Sequence, residues 1–351
     1  MITGTKNFLR RQLRLIRGGC QYPVLMPQER VVDGGLQTLD RPVQPQPAEV
    51  VDALRLCDGT RTLAEVARES GATRSALLEL VEAESLLMWR GPVRSDLALA
   101  QGGRSVRAVV VSPHPDDAPL CLGGMMLQAV AGEVTVLDVF TRTAWSRFPT
   151  ELNDVARIQT LRWAEERLMS RLSGANLQSL DLPEALLRQH MFSGIFSDGP
   201  TSSYDTDVAE ALVAAVVPLS RAHPLAVWYV PLAVGNHLDH RIVRDATLAA
   251  LARAGVVEDQ VRFYEDLPYA EKLGGVPDFA TIVPGRTLVP ELIPIDAVVR
   301  WKLELNRVYW TQFTWSQITK LRDYATRIGD GHAAERVWRL VPAVGTMRMA
   351  S

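Results

Sequence analysis

Val106-Arg107-Ala108-Val109-Val110-Val111-Ser112-Pro113-His114-Pro115-Asp116-Asp117 changes character in its middle. Residues 106–112 form a nearly continuous β-branched run, the pattern of a strand buried on both faces. An imidazole and two adjacent carboxylates follow on a proline-stiffened loop. Side-by-side carboxylates repel, and ordinary folding does not call for them. A divalent cation would hold both ionised, and Pro113 and Pro115 restrict the backbone that would present them.

Working outward, the same alternation repeats. A helix is expected over 120–131, a strand over 134–141, a long helix over 151–172 and a strand over 177–182. Helices over 207–222 and 241–254 follow, with strands at 226–231 and 261–265. Strands alternating with helices imply an α/β fold, a Rossmann-like and mainly parallel sheet with helices on both faces. Ligands of such sheets sit at the carboxyl ends of the strands. Gly235-Asn236-His237-Leu238-Asp239-His240 falls there too, directly after the strand at 226–231. Two histidines, an aspartate and the first motif therefore meet at one sheet edge. Three ligands of His, Asp and His type with an open position match a catalytic zinc site.

Ahead of this region the chain reads differently. Gly34-Gly35 and the prolines of 32–47 suggest strands and turns. Val50, Val51, Leu54 and Leu56 mark one helical face, and Thr62 with Glu65 has capping-box spacing for a second helix. A third helix is expected over 74–83 and a closing strand over 86–89. That order is a small α+β, winged-helix-like domain, placed at 1–95. The turn-rich stretch 91–104 serves as linker, and the second domain occupies 104–351.

The 351 residues carry a net charge of -2 and 47% hydrophobic residues, which gives no electrostatic footprint for nucleic acid. No apolar run is long enough to span a bilayer. Residues 1–19 suggest a short surface helix and lack the apolar core of a signal peptide. Cys20, Cys57 and Cys121 have no metal-ligand spacing and read as reduced or buried thiols, which points to the cytoplasm. A homo-oligomer is compatible with the sequence. No glycine-rich phosphate loop follows the first strand, and no G-x-S-x-G elbow exists.

The two motifs resemble those of the PIG-L/LmbE family of zinc-dependent N-deacetylases, over about 106–312. Arg162-Trp163-Ala164-Glu165, Leu180-Asp181-Leu182-Pro183, Phe263-Tyr264-Glu265 and the stretch 302–312 support the likeness. The resemblance implies zinc, or another divalent metal such as Fe2+, held by His114, Asp117 and His240. It implies Asp116 as general base and Asp239 as the group orienting a histidine. It implies that His237 stabilises the tetrahedral intermediate or protonates the leaving amine. The substrate would be a small acetamide of amino-sugar type, in secondary metabolism. His190, His223 and His332 have no partners in sequence and are left as structural.

Arg162 is expected either to reach a sugar hydroxyl or to pair with Glu165 or Glu166 on its own helix. Ala118 stands where many relatives carry Glu. Thr141-Arg142-Thr143-Ala144-Trp145-Ser146-Arg147-Phe148 replaces a glycine-rich loop. Its bulk would reshape the pocket or pack on the first domain, with Arg142 and Trp145 as candidate substrate contacts. Residues 192–205 read as a loop and candidate lid, with Tyr204 another contact. Leu56-Cys57-Asp58-Gly59-Thr60-Arg61-Thr62-Leu63 resembles PqqD-like peptide-binding domains. The competing readings are a peptide or carrier partner at this domain and a packing appendage. The alternative for the whole chain is a partner-binding biosynthetic protein with a vestigial metal site.

Overall fold

The computed structural model describes residues 21–39, 41–94, 106–148, 154–188, 194–196, 203–273 and 286–342. The expected helix over 1–19, the linker residues 95–105 and part of the 192–205 loop lie outside them. The chain divides into two compact units, Met1–Asp96 and Leu97–Ser351.

In the first unit, β1 (Tyr22–Leu25) pairs antiparallel with β5 (Leu86–Trp89). Between them come β2 (Glu29–Val32), β3 (Gly35–Thr38) and β4 (Gln44–Pro45), a small antiparallel sheet. Helices α1 (Ala48–Leu56), α2 (Leu63–Ser70) and α3 (Arg74–Glu82) close the unit over Leu54, Leu77 and Leu86. The capping box is formed: Glu65 N–H donates to Thr62 Oγ1 at 3.2 Å, and Thr62 N–H to Glu65 Oε2 at 2.7 Å.

The second unit is built on β6 (Ala108–Ser112), whose five residues are all buried, as a strand covered on both faces must be. The elements that follow are α4 (Asp117–Gln128), β7 (Val134–Asp138), α5 (Val155–Ser173), β8 (Asn176–Ser179), α6 (Ser203–Ala222), β9 (Val227–Pro231), α7 (Leu238–Ala254) and β10 (Val261–Tyr264). Then come α8 (Tyr269–Leu273), β11 (Arg286–Pro294), α9 (Val299–Asn306), α10 (Trp315–Ile328) and β12 (Ala334–Pro342). The strand order is β11-β12-β10-β9-β6-β7-β8. Strands β10, β9, β6, β7 and β8 run parallel, whereas β12 and β11 add antiparallel to the β10 edge. This antiparallel edge is absent from the sequence reading.

The chain winds from β6 out to β8 and then returns to the other side of β6 with β9. The crevice between the carboxyl ends of β6 and β9 is therefore a topological switch point, where open α/β sheets bind ligands. Both motifs empty into it. Helix α4 begins at Asp117, three residues earlier than expected, and is interrupted at Leu122 (φ -125°). Beyond the break, the buried Glu335 carboxylate accepts from Gly124 N–H at 2.6 Å, Met125 N–H at 2.9 Å and Lys302 Nζ at 2.6 Å. A Cβ on Gly124 would lie 2.5 Å from Ile295, so only glycine lets the residue after β11 pack this closely on α4. Cys57 and Cys121 are buried free thiols, as expected, and Cys20 lies outside the described residues.

Candidate metal centre

The β6–α4 loop is held before any ion arrives. Ser112 Oγ donates to His114 O at 2.7 Å and accepts from Ala118 N–H at 3.3 Å. His114 N–H donates to Asp117 Oδ2 at 2.9 Å. Asp116, at the N-cap of α4, has φ 118°, a conformation rare outside glycine. Such backbone persists only where the surroundings hold it, and it clusters at functional sites.

His114, Asp117 and His240 offer ligand atoms within 4.8 Å of one another. Their protonation follows from their neighbours. His114 Nε2 is 2.9 Å from Asp239 Oδ2, and His240 Nδ1 is 2.6 Å from Asp266 Oδ1. A carboxylate only accepts, so each of those nitrogens carries the hydrogen. The opposite nitrogens, His114 Nδ1 and His240 Nε2, face Asp117 Oδ2 at 3.4 and 3.5 Å with their lone pairs. Two ring nitrogens converging on one carboxylate oxygen at 3.4 and 3.5 Å suit a divalent cation, and carboxylate-backed imidazoles are the usual support of zinc ligands.

His114, His237 and Asp239 form a second convergent set. It fits a cation poorly because Asp239 is already committed. Its Oδ2 takes His114 and the Ala185 N–H (3.0 Å), and its Oδ1 takes Arg188 at 2.7 Å. Arg188 holds its carboxyl well below the usual range together with His114. Asp266 also accepts from Val234 N–H at 2.8 Å. Neither Asp266 nor Arg188 was found by sequence reasoning; the one available signal was an aspartate immediately after the Phe263-Tyr264-Glu265 stretch.

His237 caps α7, and its Nδ1 accepts from Asp239 N–H at 3.2 Å. That fixes the hydrogen on Nε2. Burial, then the neighbouring His240 and His114, pushes its pKa down to about 2, so the ring is a neutral donor. Gly235, at φ 85°, lets this turn pass Tyr269, whose ring would stand 2.8 Å from an added Cβ.

Arg162 lines the cavity, and its hydrogen bonds go to the β6–α4 loop rather than to the carboxylates of its own helix. It is buried and donates to Asp116 Oδ2 at 3.2 Å and to Pro115 O at 2.6 Å. The carboxylates of its own helix are engaged elsewhere: Glu165 accepts from Thr311 N–H and hydroxyl at 2.7 and 2.6 Å, and Glu166 from the Tyr309 hydroxyl at 2.6 Å. The reason is geometric, since the first turn of α4 offers a buried carboxylate within reach. Burial raises the Asp116 pKa to about 6, with Arg162 opposing.

The remaining candidates divide. Trp145 lines the cavity over the metal residues, a space of about 370 Å³, and is 43% exposed. Arg142 is not among the lining residues; its Nε donates to Asp181 O at 2.8 Å. Tyr204 falls in the first turn of α6, which starts four residues before the expected 207, so this end of the expected loop is helical. The Tyr204 side chain lies outside the described residues. The 141–148 loop is clamped within the second unit: Glu184 accepts from Thr143 Oγ1 (2.8 Å) and Ala144 N–H (2.6 Å), and Thr311 O accepts from Arg147 N–H at 3.0 Å.

Comparison with known proteins fits this geometry. Residues 109–251 match the family described as PIG-L, GlcNAc-PI de-N-acetylase. The chain is 34% identical over 284 residues to the 2'-N-acetylparomamine deacetylase of Streptomyces fradiae, covering 73% of this chain and 97% of that enzyme. The A40926 pseudoaglycone deacetylase is 26% identical at a TM-score of 0.52, over 68% of this chain and 98% of its own. A deacetylase from the teicoplanin biosynthesis pathway shares the fold at 21% identity and a TM-score of 0.55, over 69% and 100%.

Proposed function

The chain belongs to the PIG-L family of zinc-dependent deacetylases, and from that membership we propose that it removes the acetyl group from an N-acetyl amino sugar during assembly of a secondary metabolite. The observation that carries this reading is the pair of imidazoles at Asp117, each turned by its own buried aspartate so that a lone pair faces the same point. His114, Asp117 and His240 would hold a zinc ion, which would supply a Lewis acid for the amide carbonyl and acidify a water.

The protein's own groups do the rest. Asp116, oriented by Arg162, takes the proton of the attacking water and returns it to the departing nitrogen. His237 donates its Nε2 hydrogen to the oxyanion of the tetrahedral intermediate. Its depressed pKa disfavours the alternative role of acid for the amine. His237→Ala should therefore cost on the order of a hundred- to a thousand-fold in rate while zinc stays bound. Asp239 and Asp266 keep the two imidazoles in register.

The vestigial-site reading finds no support, because ligands, base and orienting carboxylates are all present. A peptide or carrier partner for the first unit rests only on its likeness to PqqD-like domains; binding of a candidate peptide to the whole chain would test it. For the hydrolysis, acetate release should be measured over a panel of N-acetyl amino sugars and N-acetylated small metabolites. Release from sugar acetamides, abolished by a chelator and restored by zinc, is expected. Activity confined to acetamides that lack a sugar would sink the substrate assignment.

A further inference from the structure

The cavity over the metal residues changes character from floor to rim. Its carboxylates, Asp116, Asp117, Glu184 and Asp239, are all buried and all hydrogen-bonded: to Arg162, to the His114 N–H, to the Thr143 hydroxyl and Ala144 N–H, and to Arg188 with His114. None is left for an ammonium group on a substrate. At the rim stand Trp145 and Phe196, 43% and 39% exposed, with Phe313 beside them. The rim's one charged side chain among the described residues is Lys272, exposed on α8 and without an ion partner among them.

The backbone that carries Trp145 is held in place. Its N–H donates to Thr143 Oγ1 at 3.2 Å, its carbonyl accepts from Gln312 Nε2 at 3.3 Å, and the loop on either side is clamped as described. A half-exposed indole on a held backbone is a ready surface for the flat face of a sugar or an aromatic ring. A lone ammonium at the same rim attracts an anion and repels a cation.

Resting on the deacetylase reading above, we propose that Lys272 and Trp145 form a rim subsite for the part of the substrate that keeps no acetyl group. The subsite selects amino-sugar conjugates whose aglycone is flat and apolar and bears an anionic group. It disfavours substrates that carry several amino groups, 2'-N-acetylparomamine among them, the compound in the name of the Streptomyces fradiae relative. The acetamide would enter towards His237 and Asp116, and the aglycone would rest on the indole with its anion near Lys272.

The test compares four probes on the full-length zinc enzyme: the methyl and phenyl glycosides of N-acetylglucosamine, the para-carboxyphenyl analogue of the latter, and 2'-N-acetylparomamine. The carboxyphenyl glycoside should give the highest kcat/KM and acetylparomamine the lowest. The readout is the ratio of kcat/KM for the carboxyphenyl over the phenyl glycoside, which cancels any general loss in a variant. K272A should lower that ratio about two- to fivefold, the range of an exposed ion pair, through KM rather than kcat. K272E should lower it further, K272R should keep it, and added salt should erode it. W145A should raise KM for both aryl glycosides more than for the methyl glycoside. A ratio at or below one in the wild type, a ratio unmoved by K272E, or preference for acetylparomamine would overturn the subsite and leave the deacetylase standing. Acetate release from none of the glycosides would overturn both.

Discussion

Asp116 holds its carboxylate where the chain would not put it unaided. Its φ of 118° is maintained by the α4 N-terminus and by Arg162 reaching across from α5. Asp116, His114 and His240 are thus each fixed by a partner distant in sequence, and of those partners Asp266 is the one whose removal is most informative. Asp266→Asn keeps the shape but cannot hold the His240 tautomer as firmly, so zinc affinity should fall roughly 10- to 100-fold. Competition against a chelator measures it, and unchanged affinity would mean the His240–Asp266 bond does not set the ligand. His114, Asp116, Asp117, His237 and His240 were legible because their types and strand-end positions break the local pattern. Asp266, Arg188 and the true partner of Arg162 were not. Pairings spanning 26, 51 and 46 residues leave no mark on local sequence.

Among elements, the parallel strands announced themselves through β-branched runs, and the start of α2 through its capping box. β11 and β12 did not. β11 contains Pro290 and Pro294 and is nowhere fully buried, so it carries neither a continuous apolar run nor a propensity signal. Where the signal was local it held, and it can be tested locally. Thr62→Ala should cost the first unit about 1 kcal/mol by removing the α2 cap. Glu65 accepts the Thr62 N–H and hydroxyl, which hold its carboxyl below the usual range. A depressed folded pKa stabilises above the unfolded value and is lost as pH falls through the folded one. The difference between wild type and Thr62→Ala in urea unfolding should therefore shrink from pH 7 towards pH 3. A difference growing on acidification would contradict the capping account. Gly235→Ala meets both a positive φ and the Tyr269 ring, and should destabilise by more than about 1 kcal/mol with loss of turnover.

For the molecule as a whole, every residue lining the cavity belongs to Leu97–Ser351. No helix among the described residues is long and apolar enough to cross a membrane. A chain beginning at Leu97 should, if it folds, keep the deacetylation rate of the full protein; loss of rate in a folded fragment would assign the first unit a part in hydrolysis. The parallel sheet was readable from sequence, whereas the cavity's rim was not, since it is assembled from loops and helix ends on four separate segments. The central claim is that Asp116 moves the proton at a zinc site it does not ligate. Asp116→Asn, assayed together for zinc content and acetate release, tests it most directly. One zinc per chain with turnover reduced by on the order of a hundred-fold or more is the expected result. Zinc retained with turnover unchanged would contradict it.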